Sequence, residues 1–257
     1  MQALFDLQGK VAIVTGGSRG IGAMIAQGFV AAGARTYITA RKQAELEATA
    51  AELSKQGECI AISSDLSTME GIENFVAEIQ ARESQVDILV NNAGATWGQP
   101  IDEFTEQGWD RVMDLNTKSI FFLSQKLLPL LRKGASAEDR SRIINIASIN
   151  GLTNPNMENY SYSASKAAVI HLTTHMAARL IKDNVLVNGI APGFFPSKMT
   201  AFILDHDEQA AAASVPAGRV GTPEDAAGTA IYLSSRASAF VNGHTIVLDG
   251  GQVANAH

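Results

Sequence analysis

Seven short runs dominated by Val, Ile, Leu and Ala recur along the 257 residues, with longer stretches of helical spacing between them. They are "KVAIVTG", "ARTYITA", "CIAISSD", "VDILVNNAG", "RIINIAS", "NVLVNGIAPG" and "HTIVLDGG". Their apolar residues are continuous instead of alternating with polar ones, the pattern of strands covered on both faces. The intervening segments include "GIGAMIAQGFVAAG", stopped by Gly33, and the charged amphipathic "RKQAELEATAAELSKQG", which ends at Gly57. Strand–helix units of this length cross over right-handed and build a parallel sheet. No linker, repeat or low-complexity block divides the chain. The expectation is one α/β domain spanning 1–257, a doubly wound parallel sheet of about seven strands with helices on both faces.

Bulk composition narrows the function classes. Hydrophobic residues make up 46% and charged residues 18%, values of a folded chain and not of a disordered one. A net charge of −6 leaves no basic footprint, so nucleic acid is not an expected partner. Cys59 is the only cysteine and has no intramolecular disulfide partner. "MQALFDLQGK" lacks the pattern of a signal peptide, and no run approaches the ~20 apolar residues of a membrane span. A cytoplasmic protein without a membrane partner is expected.

The stretch "VTGGSRGIG" admits two incompatible readings. Gly16-Gly17-Ser18-Arg19-Gly20 fits G-x-S-x-G, the nucleophile elbow of a serine hydrolase. The same residues also place Gly16, Gly20 and Gly22 in a strand-to-helix turn, where residues lacking Cβ let backbone N–H groups and a helix N-terminus approach a pyrophosphate. The hydrolase reading needs acid and histidine partners in a set order, and none of the five histidines sits in a late strand-to-loop context. The spacing Gly16-x-x-x-Gly20-x-Gly22 departs from G-x-G-x-x-G, so the turn alone is weak support. Other segments supply the weight. Asp65, "NNAG" at Asn91 to Gly94, Ser148, and Pro192-Gly193 all fall at the carboxyl ends of expected strands. Tyr162 and Lys166 are four apart on one helical face. Ligands of open α/β sheets bind at that edge, so Ser18 is assigned to a phosphate cradle.

Taken in order, Thr15-Gly16-x-x-x-Gly20-Ile21-Gly22, Asp65, Asn91-Asn92-Ala93-Gly94, Asn116, Ser148, Tyr162-x-x-x-Lys166, Pro192-Gly193 and Asp249-Gly250-Gly251 resemble the short-chain dehydrogenase/reductase family across essentially the full length. Within it the chain is most similar to the NADPH-dependent β-ketoacyl reductases, of the kind associated with rhamnolipid synthesis. The resemblance implies a Rossmann-type fold and a homotetramer. It also implies a cofactor cleft formed by Gly16, Ser18, Arg19, Gly20, Ile21 and Gly22. Asp65 and Leu66 would meet the adenine, with Asn91, Asn92, Ala93 and Gly94 along the adenosine. Pro192, Gly193, Phe195 and Ser197 would lie on the nicotinamide side. Ser197 stands where the family usually has Thr, and Pro196 stiffens the loop. Asp65 also reads as a helix N-cap before "STMEG".

Ketone reduction needs a hydride donor, a proton donor and a group that fixes the carbonyl. Tyr162 is the candidate acid, and an ammonium at Lys166 is expected to lower its pKa from the usual ~10. The resemblance implies that Lys166 also binds the nicotinamide ribose. It further implies that Ser148 bonds the substrate oxygen and that Asn116 holds a water in a proton relay. No carboxylate lies between Tyr37 and Lys42, where an NAD enzyme would bond the ribose 2′-hydroxyl, whereas Arg41 follows the strand and Arg19 lies in the turn. Two guanidiniums suit a 2′-phosphate, so NADP(H) is expected in preference to NAD(H).

The substrate walls are expected from "INGLTNPNMENY" and from a loop at roughly 194–218. Met157, Phe194, Phe195, Met199, Phe202 and Ile203 give them an apolar lining suited to an acyl chain, with Ser148 and Tyr162 at the reacting end. Core packing is the competing explanation for several of these. The expected substrate is a small carbonyl compound, free or carried on acyl-carrier protein, toward which Arg179, Lys182 and Lys198 offer positive charge. His171 and His175, at i and i+4, lack the acid and third ligand of a zinc motif, so no metal is expected. An alcohol or polyol dehydrogenase working oxidatively and an idle NADP-binding sensor are the alternatives. The two long helical stretches from Glu106 and from Tyr160 are apolar over more than one face, as subunit contacts require.

Overall fold

A computed structural model describes residues 2–196 and 212–255. The strands are β1 (Val11–Thr15), β2 (Arg35–Ala40), β3 (Cys59–Ser63), β4 (Ile88–Asn91), β5 (Ser141–Ile146), β6 (Val185–Pro192) and β7 (Thr245–Leu248). The helices are α1 (Gly20–Ala31), α2 (Gln43–Leu53), α3 (Met69–Arg82), α4 (Glu106–Met113), α5 (Ser119–Lys133), α6 (Tyr160–Leu180) and α7 (Pro223–Ser234).

All strands pair in parallel, in the order β3-β2-β1-β4-β5-β6-β7. The chain therefore winds outward from β1 in one direction and, from β4, in the other. The crevice between β1 and β4 at their carboxyl ends is the place where such sheets bind ligands. Residues of β1 divide between two cores. Ala12 and Val14 meet Ile25 and Phe29 of α1, Leu46 of α2 and Leu233 of α7, while Val11 and Ile13 meet Phe75 of α3, Leu127 of α5 and Leu180 of α6. Continuous apolar runs were the sequence signal of this double coverage, and it holds for the central strands. The edge strand β7 is only partly buried. Helices α1 and α7 cross closely: a β-carbon on Gly28 would lie 2.5 Å from that of Ala227.

Three expectations need adjusting. The long stretch from Glu106 is not one regular helix, because Asp114–Lys118 forms a π-helical turn between α4 and α5, centred on Asn116. Strand β3 stops at Ser63, two residues short of Asp65. Asp65 is not an N-cap either: its Oδ1 accepts from the Ser67 N–H and hydroxyl, and Thr68 caps α3. Among the described residues no helix is long and apolar enough to cross a membrane.

Candidate active site

The glycine turn is built by close approach. Gly16 and Gly20 have φ of 66° and 54°, and a β-carbon on Gly22 would lie 2.3 Å from the Gly16 carbonyl oxygen. That contact brings the start of α1 over the end of β1, pointing its unpaired N–H groups and positive dipole end into the crevice. The N–H groups of Gly16 and Gly17 take no part in this, since both donate to the Thr39 carbonyl, at 2.8 and 3.2 Å. The cradle is therefore the helix start from Ser18 onward, and Gly22 shapes it without lining the cavity.

Thr15 and Asn92 lock this turn to the neighbouring strand. The Thr15 hydroxyl accepts from the N–H groups of Asn92 and Ala93 at 2.8 and 2.9 Å. The Asn92 amide donates to the carbonyls of Thr15 and Gly16 at 2.8 and 3.3 Å. Asn91, expected along the adenosine, turns instead into the core. Its amide donates to Ser124 and Asn145, and the Asn145 amide donates to Thr173, a buried chain joining β4, α5, β5 and α6.

A cavity of about 310 Å³ runs across the carboxyl ends of the sheet. One end is lined by Gly16, Ser18, Arg19, Gly20 and Ile21, then by Arg41, Asp65 and Leu66. Asn92, Ala93 and Gly94 form its floor, and Pro192, Gly193 and Phe195 its far wall. Ser148, Tyr162 and Lys166 enter the same cavity. Asn116 is fully buried behind it. Phe194 lines a smaller cavity with Phe195, Arg219 and Leu248, and Met157 is half exposed and lines neither. Ser197, Lys198, Met199, Phe202 and Ile203 lie outside the described residues, as does much of the expected 194–218 loop. Sequence reasoning missed Thr39, Lys42, Glu45 and Ser64 on the cavity wall. The Thr39 hydroxyl is buried there without a hydrogen-bond partner among the described residues.

The opposite end, at Ser148, Tyr162 and Lys166, draws on separate elements. Ser148 follows β5 and its hydroxyl accepts from the Asn150 N–H at 3.2 Å. Tyr162 lies in the first turn of α6, and Lys166 one turn on. The Lys166 ammonium donates to the Ile146 carbonyl at 2.7 Å and sits 5.6 Å from the centre of the Tyr162 ring. A β-carbon on Gly94 would lie 3.3 Å from Asn116 Oδ1 and 3.8 Å from Lys166 Nζ, so glycine there lets both groups approach the strand end. The Asn116 amide is fully engaged: Oδ1 accepts from the Ala95 N–H, while Nδ2 donates to the Ala95 carbonyl and the Ser165 hydroxyl.

The electrostatics differ from the sequence expectation. Burial pushes the Tyr162 phenol above its usual value, with a hydrogen bond to Ser148 acting in the opposite direction. Burial likewise pulls the Lys166 ammonium down to about 8. Lys166 was expected to lower the phenol. In the protein itself desolvation dominates, and the ammonium directs a hydrogen bond to the Ile146 carbonyl.

The fold and this arrangement define a dehydrogenase of the short-chain type. The sequence pattern of the short chain dehydrogenases matches residues 10–208, and the chain belongs to that family. It is 45% identical over 253 residues to the rhamnolipids biosynthesis 3-oxoacyl-[acyl-carrier-protein] reductase of Pseudomonas aeruginosa, covering 98% of this chain and 99% of that one. It is also 35% identical to the gluconate 5-dehydrogenase of Gluconobacter oxydans, with 96% of each chain covered. Among solved structures, the Pseudomonas aeruginosa RhlG/NADP active-site complex superposes with a TM-score of 0.95 at 45% identity, covering 98% of this chain and 100% of that one.

Proposed function

We propose that this chain is an NADPH-dependent ketone reductase whose substrate is a 3-oxoacyl thioester or a related lipophilic carbonyl. The convergence of Ser148, Tyr162 and Lys166 on the cavity that begins at the glycine turn carries this reading. The cavity fits a dinucleotide on its own chemistry. Glycine at 22 lets the start of α1 close over the Gly16 carbonyl and form the cradle, and Arg19, Arg41 and Lys42 gather cations at the end of β2, where NAD enzymes place an acid.

When bound, NADPH supplies the hydride. Tyr162 gives its phenolic proton to the carbonyl oxygen as that oxygen becomes an alkoxide. Ser148 hydrogen-bonds the same oxygen and holds it beside the phenol. Lys166 binds the nicotinamide ribose and, when protonated, favours the phenolate that Tyr162 leaves. Asn116 fixes Ala95 behind Lys166. It is proposed to assist the proton relay there, with its amide bonded to Ala95 and Ser165.

The name of the Pseudomonas relative and the apolar wall at Phe195, Leu115, Ile146 and Ala147 support the 3-oxoacyl substrate. The Gluconobacter relative favours a second reading, oxidation of a polyol or sugar acid at the same residues. We take 1–257 as one cytoplasmic catalytic domain with its substrate loop near 194–218, acting on free or acyl-carrier-bound substrate. Exposed Phe121 on α5, Val247 on β7 and Phe240 support assembly as a homotetramer. Following NADPH consumption with 3-oxoacyl thioesters of graded length tests the substrate, with sugar-acid and steroid ketones alongside. Turnover confined to the sugar-acid ketone overturns the thioester reading.

A further inference from the structure

Besides Asp65, a second acidic side chain lines the nucleotide end, and it stands among the cations. Glu45, in the first turn of α2, lines the cavity with Arg19, Arg41, Lys42 and Ser64. Its two carboxylate oxygens serve different partners: Oε2 meets Arg19 Nη1 at 2.8 Å, and Oε1 meets Lys42 Nζ at 3.1 Å. Its place is fixed from below, because the Thr49 hydroxyl hydrogen-bonds the Ser18 carbonyl at 2.8 Å and the Glu45 carbonyl at 3.0 Å. Helix α2 is thus tied to the glycine turn through Thr49.

We propose that Glu45 is a specificity-determining residue that works against the 2′-phosphate and so narrows this chain's preference for NADPH over NADH. The inference rests on the cofactor reading above. A phosphate monoester brings about −1.5 to −2 charges near neutrality. To bond Arg19 and Lys42 it must displace or share with a carboxylate already on both, and it meets that carboxylate's repulsion. NADH carries no phosphate at that position and meets neither cost. All three side chains are well exposed, so the competition is moderate and sensitive to salt.

The test measures binding, not turnover. Dissociation constants for NADPH, NADH and adenosine 2′,5′-bisphosphate are determined by calorimetry for the wild type, Glu45→Gln, Arg19→Gln and the double variant, with circular dichroism checking that α2 persists. Glu45→Gln is expected to tighten NADPH and the bisphosphate about 5-fold at low salt, with a smaller gain at about 0.5 M salt. NADH should change by less than about 2-fold. In the Arg19→Gln background the Glu45→Gln gain should shrink to about 2-fold, since one of the two competing contacts is already gone. Unchanged or weaker binding of both phosphorylated ligands in Glu45→Gln, with wild type still preferring NADPH, overturns the role of Glu45 alone. A wild type that binds NADPH no better than NADH overturns the cofactor reading and this inference with it.

Discussion

Lys166 donates its ammonium proton to the main-chain carbonyl of Ile146, 2.7 Å away at the end of β5. The charge is thereby anchored to the sheet, 5.6 Å from the centre of the Tyr162 ring, in surroundings that depress its pKa to about 8. In the proposed mechanism only the protonated form favours the phenolate left by proton donation. Ketone reduction is therefore expected to fall as pH rises through about 8, and kcat measured from pH 6 to 10 checks this. Lys166→Met should lower kcat by about 100-fold or more and abolish that limb.

The same depressed value makes folding depend on pH. Below about 8 both the folded and unfolded chains hold the Lys166 proton, and the full cost of burying the charge is present. Between about 8 and the ordinary 10.5 the unfolded chain alone holds it, so this group's contribution to stability rises with pH. Urea unfolding across that window should show a shallower rise in Lys166→Met than in wild type.

Tyr162→Phe keeps the ring beside Lys166 and removes the proton donor. Turnover should drop by about 10²–10⁴, while NADPH affinity measured by fluorescence titration stays within about 2-fold, because in the proposed mechanism the phenol acts chiefly on the substrate oxygen. A parallel loss of affinity would mean that the hydroxyl shapes the cofactor site.

Gly22→Ala places a methyl group against the main-chain oxygen of Gly16, and backbone at this position has no rotamer with which to yield. A loss of about 3 kcal/mol is expected in urea unfolding, together with a large loss of NADPH binding.

Asp87 offers a contrast far from the chemistry. Its Oδ2 accepts the Val11 N–H at 2.8 Å and its Oδ1 meets Lys10 at 3.2 Å, joining β1 and β4 at their amino ends. Asp87→Ala leaves a buried donor unmet and should cost about 2–3 kcal/mol, with NADPH affinity unchanged once the protein is folded.

Much of this was legible from residue order. A parallel sheet shows itself through uninterrupted apolar runs, and its ligand edge through polar residues at the ends of those runs, so Ser148, Tyr162 and Lys166 could be placed together. What stayed hidden depends on tertiary neighbours. Asn91 and Asn92 are adjacent and chemically identical, yet the alternation along β4 sends one into the core and the other under the glycine turn. Helical periodicity cannot register the single π turn at Asn116. Glu45 is one more acid on a charged helix until α2 is docked beside Arg19. Arg142, the second residue of β5, reads as an ordinary cation, but it is buried, donates to carbonyls of Ser235 and Arg140, and has a pKa lowered to about 10 by burial.

The short segment from Asn92 to Ala95 hangs on the glycine turn at one end, through Thr15, and on Asn116 at the other. One short segment thus joins the glycine turn to the residues behind Lys166. A substitution that moves the glycine turn is therefore expected to disturb the Asn116 bond to Ala95 as well.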